Sequence, residues 1–121
     1  MADGKLTTHA LDTQSGKPAY GLAFVLYRFS EGFGSERAEI ARGELGPDGR
    51  PPSAILSATT FKVGEYCLEF DAESYFGQRS DEVIDPFLGL ISLNFRITDE
   101  STHYHIPLIL APFGYSTYRG S

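Results

Sequence analysis

The chain is poor in cysteine, has no excess of positive charge and lacks any long apolar run, and each shortage closes off a class of protein. Its one cysteine, Cys67, has no internal partner, which excludes a disulfide framework. Its place inside the apolar run YCLEF reads as that of a small buried hydrophobe. Asp and Glu number 16 against 10 Lys and Arg, a net charge of −6, the wrong sign for the basic patch that nucleic acid or an anionic membrane surface requires. No window reaches the roughly 18 apolar residues that span a bilayer, and MADGKLTTHALD lacks the apolar stretch of a secretory signal. The expectation is a soluble, cytoplasmic protein; the final Gly-Ser is not a peroxisomal address of the SKL type. Internal repeats, low-complexity tracts and charge blocks are missing too. Residues 1–121 are therefore expected to form one domain, large enough to bury a core without a disulfide or structural metal.

What is present is alternation. In LNFRI, Leu93, Phe95 and Ile97 share one strand face while Asn94 and Arg96 share the other; GEYCLEF sets Tyr66, Leu68 and Phe70 against Glu65, Cys67 and Glu69. GLAFVLYRF, residues 21–29, is apolar on both faces and predicts a central strand covered on both sides, or on one side and at a subunit contact. Turn signals separate these runs: QSGKP at 14–18, SEGFGS at 30–35 and GPDGRPP at 46–52. Short strands at this spacing predict an all-β sandwich or barrel. DAESYFGQR, 71–79, breaks the pattern, with Asp71 as N-cap and Gly77 as a stop, and predicts a single helix of about two turns. Pro107 interrupts HYHIPLIL and predicts an edge or bulge, because proline cannot donate to a ladder; another subunit could cover such an edge.

The chain ends in YSTYRGS, an aromatic-rich stretch at a terminus that chains usually leave loose, so the tail reads as placed rather than free. All three histidines lie near the ends: His9 in LTTHALD, and His103 and His105 in HYHIPL, where a strand points the latter two the same way. Histidine exchanges protons near neutrality, so a pair converging in a cleft could divide base and acid roles, although a lone histidine is more often a hydrogen-bonded surface residue. His-x-His with a distant third histidine also fits a three-histidine zinc site, yet no carboxylate or cysteine stands at ligand spacing beside it. Ser116 lacks a nucleophile elbow and Cys67 sits in a core strand, so neither has the setting of an activated nucleophile. Arg50 lies on a proline-stiffened turn, which lowers the entropy cost of presenting a planar bidentate donor.

Three stretches, LTTHALDTQSGKPA (6–19), PDGR (47–50) and HYHIPLILAPFGYSTYRGS (103–121), together resemble the transthyretin-related family, and within it the branch marked by a C-terminal YRGS. The resemblance runs the full length in the same order, with Ala111 standing where the family's pattern has serine. It implies a prealbumin/transthyretin-like β-sandwich of two four-stranded sheets with one short helix, assembled as a homotetramer (a dimer of dimers) with sites in the channel between dimers. It also implies an activity: hydrolytic ring opening of 5-hydroxyisourate, a product of urate oxidation, needing no cofactor and no metal. Carried over residue by residue, His9, Arg50 and His105 are implied as catalytic, and Tyr118, Arg119, Gly120 and Ser121 as the substrate-lining wall. His103 matches no catalytic position and keeps its surface reading. The same family implies one alternative, a non-catalytic carrier that binds an apolar small molecule in the same channel, which fold alone does not separate from the enzyme.

Overall fold

The computed structural model describes residues 4–78 and 85–121. Arg79, the last residue of the expected helical segment, and Ile84, at the start of the IDPFLGL stretch, fall outside them. Among these residues nine strands and one α-helix follow in order, with a short 3-10 turn at Ala58–Thr60: β1 (Lys5–Asp12), β2 (Lys17–Pro18), β3 (Ala23–Phe29), β4 (Arg37–Glu44), β5 (Leu56–Ser57), β6 (Gly64–Asp71), α1 (Ala72–Gly77), β7 (Leu90–Ile97), β8 (His103–Ala111) and β9 (Gly114–Thr117). One sheet is antiparallel, in the order β4-β3-β6-β7; the other runs β2-β1-β8-β9, with β5 pairing to the far end of β1. The expected two four-stranded layers are therefore present, the second extended by a two-residue strand.

Burial follows the period-two reading. Ile91, Leu93 and Ile97 of β7 point inward, as do Leu6, Thr8, Ala10 and Asp12 of β1, to meet Leu26, Leu68, Phe70, Leu108 and Leu110 in a common core. Each large apolar side chain taken from water contributes about 1.5–3 kcal/mol. The buried polar groups on β1 are satisfied: Thr8 donates to the Ile106 carbonyl at 2.6 Å, and Asp12 accepts the Tyr75 hydroxyl at 2.7 Å. Asp71 caps the helix as expected, its carboxylate accepting the Ser74 amide at 3.0 Å.

One expectation changes and one narrows. β8 is not an edge strand: β1 flanks it in parallel from Lys5↔His103 to Asp12↔Leu110, and β9 flanks it on the other side. Pro107 is tolerated because the β8–β9 ladder stops at Leu108↔Thr117 and resumes only at the His105↔Gly120 bridge, so no partner demands the missing N–H. Instead the Thr117 hydroxyl takes the Pro107 carbonyl at 2.8 Å. β3 is central as expected; among the described residues no second layer covers its outer face, so of the two expected arrangements the one covered on both sides is not the one seen. There Arg37 lies 3.9 Å from the Tyr27 ring centroid and reaches Cys67 and Glu69 on β6, roofing over residues the alternation placed on an open face. Burial pushes the Cys67 thiol up, which keeps it an unreactive core group.

Candidate active site

The parallel pairing of β1 with β8 builds the site. It sets Thr7 beside His105 and Lys5 beside His103, with His9 one step along opposite Pro107, and all of these side chains leave by the sheet's outer face. His9 Nδ1 and His105 Nε2 stand 2.7 Å apart, and their rings stack at 4.8 Å between centroids and 22° between planes. The other nitrogen of His105, Nδ1, lies 2.7 Å from the Thr7 hydroxyl, which is also 2.6 Å from His103 Nε2. Both nitrogens of the buried His105 are thereby engaged, while the half-buried His9 keeps Nε2 outside this chain of contacts.

Arg50 reaches the pair by way of a tight loop. The Gly46 amide donates to the Arg50 carbonyl at 2.7 Å, the Arg50 amide donates to Asp48 at 3.0 Å, and the Ala10 amide donates to the Gly49 carbonyl at 3.0 Å, which ties the loop to β1 beside His9. Gly49 has φ 75°, and a Cβ there would stand 2.7 Å from the Ala10 carbonyl oxygen, so glycine is required for this approach. Burial, then the charge of Arg50, holds the pKa of His9 below the usual histidine value. His105 is lowered by burial first, then by His9, Arg50 and His103; His103 is lowered by burial and then by Lys5. Every group in the cluster is thus biased toward neutral imidazole, the form that accepts a proton.

The tail returns to the same place. The Gly120 amide donates to the His105 carbonyl at 2.7 Å, and a Cβ on Gly120 would lie 2.8 Å from His105 Cδ2. Continuing the β8–β9 register sets Tyr118 opposite Pro107, on the outer face with the histidines, where its side chain is 61% exposed. Arg119 faces the other way, its guanidinium 4.0 Å from the ring centroid of Tyr104, so in this chain it anchors the tail instead of meeting the histidines. Ser121 is exposed at the end.

The structure thus gathers His9, His105, Arg50 and Gly120, sets Tyr118 on the same face, and turns Arg119 away. Beside them stand Thr7, which the sequence reading did not single out, and His103, to which it gave a surface reading. The signal for them was parity: Thr7 and His9 alternate on β1 as His103 and His105 do on β8, so pairing the two strands brings all four together. Among the described residues no three His, Cys, Asp or Glu side chains are disposed around a common point that could hold a metal; the three histidines run in line, spaced by Thr7. An arrangement of this kind can move a proton to or from a bound molecule at His9 Nε2, with Arg50 able to steady negative charge.

Residues 6–120 match the HIUase/Transthyretin family. A 5-hydroxyisourate hydrolase of Rhizobium meliloti is 45% identical over 119 residues, covering 98% of this chain and 97% of the relative. Among solved structures, (S)-allantoin synthase superposes with a TM-score of 0.88 at 36% identity, covering 99% of this chain and 44% of that longer one. Transthyretin from Sparus aurata superposes at 0.83 with 27% identity, over 96% of each chain.

Proposed function

The chain belongs to the HIUase/transthyretin family, and from that membership and the histidine pair we infer that it hydrolyses 5-hydroxyisourate in urate degradation. The observation that carries the mechanism is the 2.7 Å contact between His9 Nδ1 and His105 Nε2, held beside Arg50 and closed from behind by Gly120. Water attacks an acyl carbon of the heterocycle, the C–N bond opens, and the departing nitrogen takes a proton, giving 2-oxo-4-hydroxy-4-carboxy-5-ureidoimidazoline. His9 Nε2 receives the water proton and returns one to nitrogen, while His105 fixes its ring orientation. Arg50 keeps both imidazoles neutral and steadies the oxyanion. No cofactor or metal enters these steps.

The site is completed by other copies of the chain in a homotetramer. Its histidines lie on an open sheet face, and Phe113, Tyr115 and Tyr118 around the tail are 65%, 45% and 61% exposed, an apolar surface that supports burial against a partner subunit. The YRGS segment then forms a wall of the substrate channel, with Tyr118 toward the ligand. A free, buried Cys67 suits a reducing cytoplasm, and among the described residues no helix is long and apolar enough to cross a membrane. A carrier would use the same fold, but an apolar binding channel gives no work to a row of linked histidines beside an arginine. The test is the ultraviolet decay of 5-hydroxyisourate formed from urate by urate oxidase, with and without this protein and in the presence of a chelator. Accelerated decay supports the reading; an unchanged decay from folded tetramer defeats it.

A further inference from the structure

We propose that Thr7 and His103 belong to the working centre, completing a proton relay, His9–His105–Thr7–His103, that connects the reacting water to bulk solvent. The proposal rests on the hydrolase reading and extends its chemistry. Its three contacts, 2.7, 2.7 and 2.6 Å, are each short enough for proton exchange.

Donor counting makes the row directional. A threonine hydroxyl has one proton and a neutral imidazole one N–H, so with every ring neutral and the Thr7 hydroxyl donating within the row, only two arrangements fill all three contacts. In the first, His9 Nδ1–H donates to His105 Nε2, His105 Nδ1–H donates to Thr7, and Thr7 donates to His103 Nε2; His9 Nε2 then carries a free lone pair. In the second, every donor is reversed and His9 Nε2 carries the proton. The first is the base form and the second the acid form of one catalyst.

Passing between them balances the reaction. As water adds to the acyl carbon, His9 Nε2 takes its proton and the three relay protons each shift one place toward His103. His103 then releases Nδ1–H to solvent, and the row is in its acid form. When the C–N bond breaks, His9 Nε2–H moves to nitrogen, His103 Nδ1 takes a proton from solvent, and the three relay protons shift back. The net change is one water added across the C–N bond.

Charge explains why the row should extend so far. His9 and His105 both feel Arg50, so an imidazolium held there is opposed; His103 is exposed and among its neighbours feels Lys5. Among the described residues the charged and titratable groups facing the relay are Lys5 and His9 from β1, Arg50 from the 46–50 loop, His103 and His105 on β8 itself and, on the β9 side, Tyr118, since Gly120 presents no side chain. Moving the positive charge to His103 takes it away from Arg50 to an exposed side chain, where only partial burial and Lys5 still oppose it.

The experiment compares wild type with Thr7→Val, Thr7→Ser and His103→Ala in the 5-hydroxyisourate assay, reading kcat, KM and the dependence of kcat on the deuterium fraction of the solvent. Thr7→Val is expected to lose about tenfold to hundredfold in kcat with KM nearly constant, up to the lower end of the usual worth of acid–base assistance because His9 itself remains. Its solvent isotope dependence should change from curved, for several protons in motion, to linear, and Thr7→Ser should restore both. His103→Ala, altered only at an exposed side chain, should keep its fold and show a kcat that rises with added imidazole. Wild-type kcat and curvature in Thr7→Val, failure of Thr7→Ser to restore them, or a His103→Ala rate indifferent to imidazole would each overturn the relay. Should Thr7→Val not fold, the imidazole dependence of His103→Ala decides alone. A wild-type protein without activity defeats the hydrolase reading itself, an outcome distinct from active wild type with equally active variants.

Discussion

Replacing Gly120 with alanine adds one methyl group where the structure has no room for it. The new Cβ would stand 2.8 Å from His105 Cδ2 and 3.2 Å from Pro107 Cγ, against the roughly 3.5–4.0 Å at which carbon atoms pack. Forcing such an overlap costs about 1–3 kcal/mol. The tail has an escape, because its docking in the chain rests on the Gly120 amide bond to His105 and the Arg119 contact with Tyr104, each worth about 1 kcal/mol. Clash and undocking are therefore comparable. In either outcome the stability of the sandwich changes little, since the core lies elsewhere, while the His105 ring is pushed off its 2.7 Å contact with His9 or loses its wall. A displacement of a few tenths of an ångström up to 1 Å at a reacting group costs on the order of 10- to 100-fold. We expect Gly120→Ala to keep a cooperative thermal transition within a few degrees of wild type, about 2–4 °C per kcal/mol for larger domains and somewhat more here. Its kcat/KM should fall at least about tenfold. A variant with kcat/KM within twofold of wild type would refute the claim that tail and histidine are in functional contact.

Four further outcomes follow from the same geometry. His9 and His105 are lowered below the ordinary histidine value of about 6.5, so kcat/KM should hold steady from neutral pH to below that value and then decline as the base form is lost. Arg50→Gln removes one of the lowering influences, so its acid limb should move to higher pH; a limb that stays or moves lower contradicts the role given to Arg50. Deleting residues 118–121 should abolish turnover yet leave a folded sandwich, because the β8–β9 ladder ends at Thr117, and full activity from the folded truncation would contradict the account. Tyr75→Phe strips a donor from Asp12, which is 2% exposed, and should lower stability to urea by about 1–3 kcal/mol; an unchanged midpoint would show the bond to be without weight.

Much of the sandwich was legible because a half-buried sheet writes its period of two into the chain, as in LNFRI, and because Asp71 and Gly77 punctuate the only α-helix among the described residues. β4 was less so: RAEIARGE is exposed along nearly all its length, so no alternation marks it. Pro107 was placed at an edge because local reading sees the missing donor but not the gap that Tyr118 and Arg119 leave in the facing ladder. The same limit hid two neighbours of the histidine pair. His9 and His105 came through their motifs, yet Thr7 looks like any strand threonine and His103 like any surface histidine until the pairing of the first strand with the eighth sets them side by side. Arg119 is expected in the substrate wall with its neighbours; in this chain its guanidinium lies over Tyr104, a contact that no local pattern announces.

The central claim is that His9, oriented by His105, moves the proton in the ring opening of 5-hydroxyisourate, and the most direct measurement sets wild type beside His9→Asn in the ultraviolet decay assay with chelator present. The account predicts rapid decay with wild type and a rate for folded His9→Asn lower by about 100-fold or more. Equal acceleration by the two proteins would contradict it.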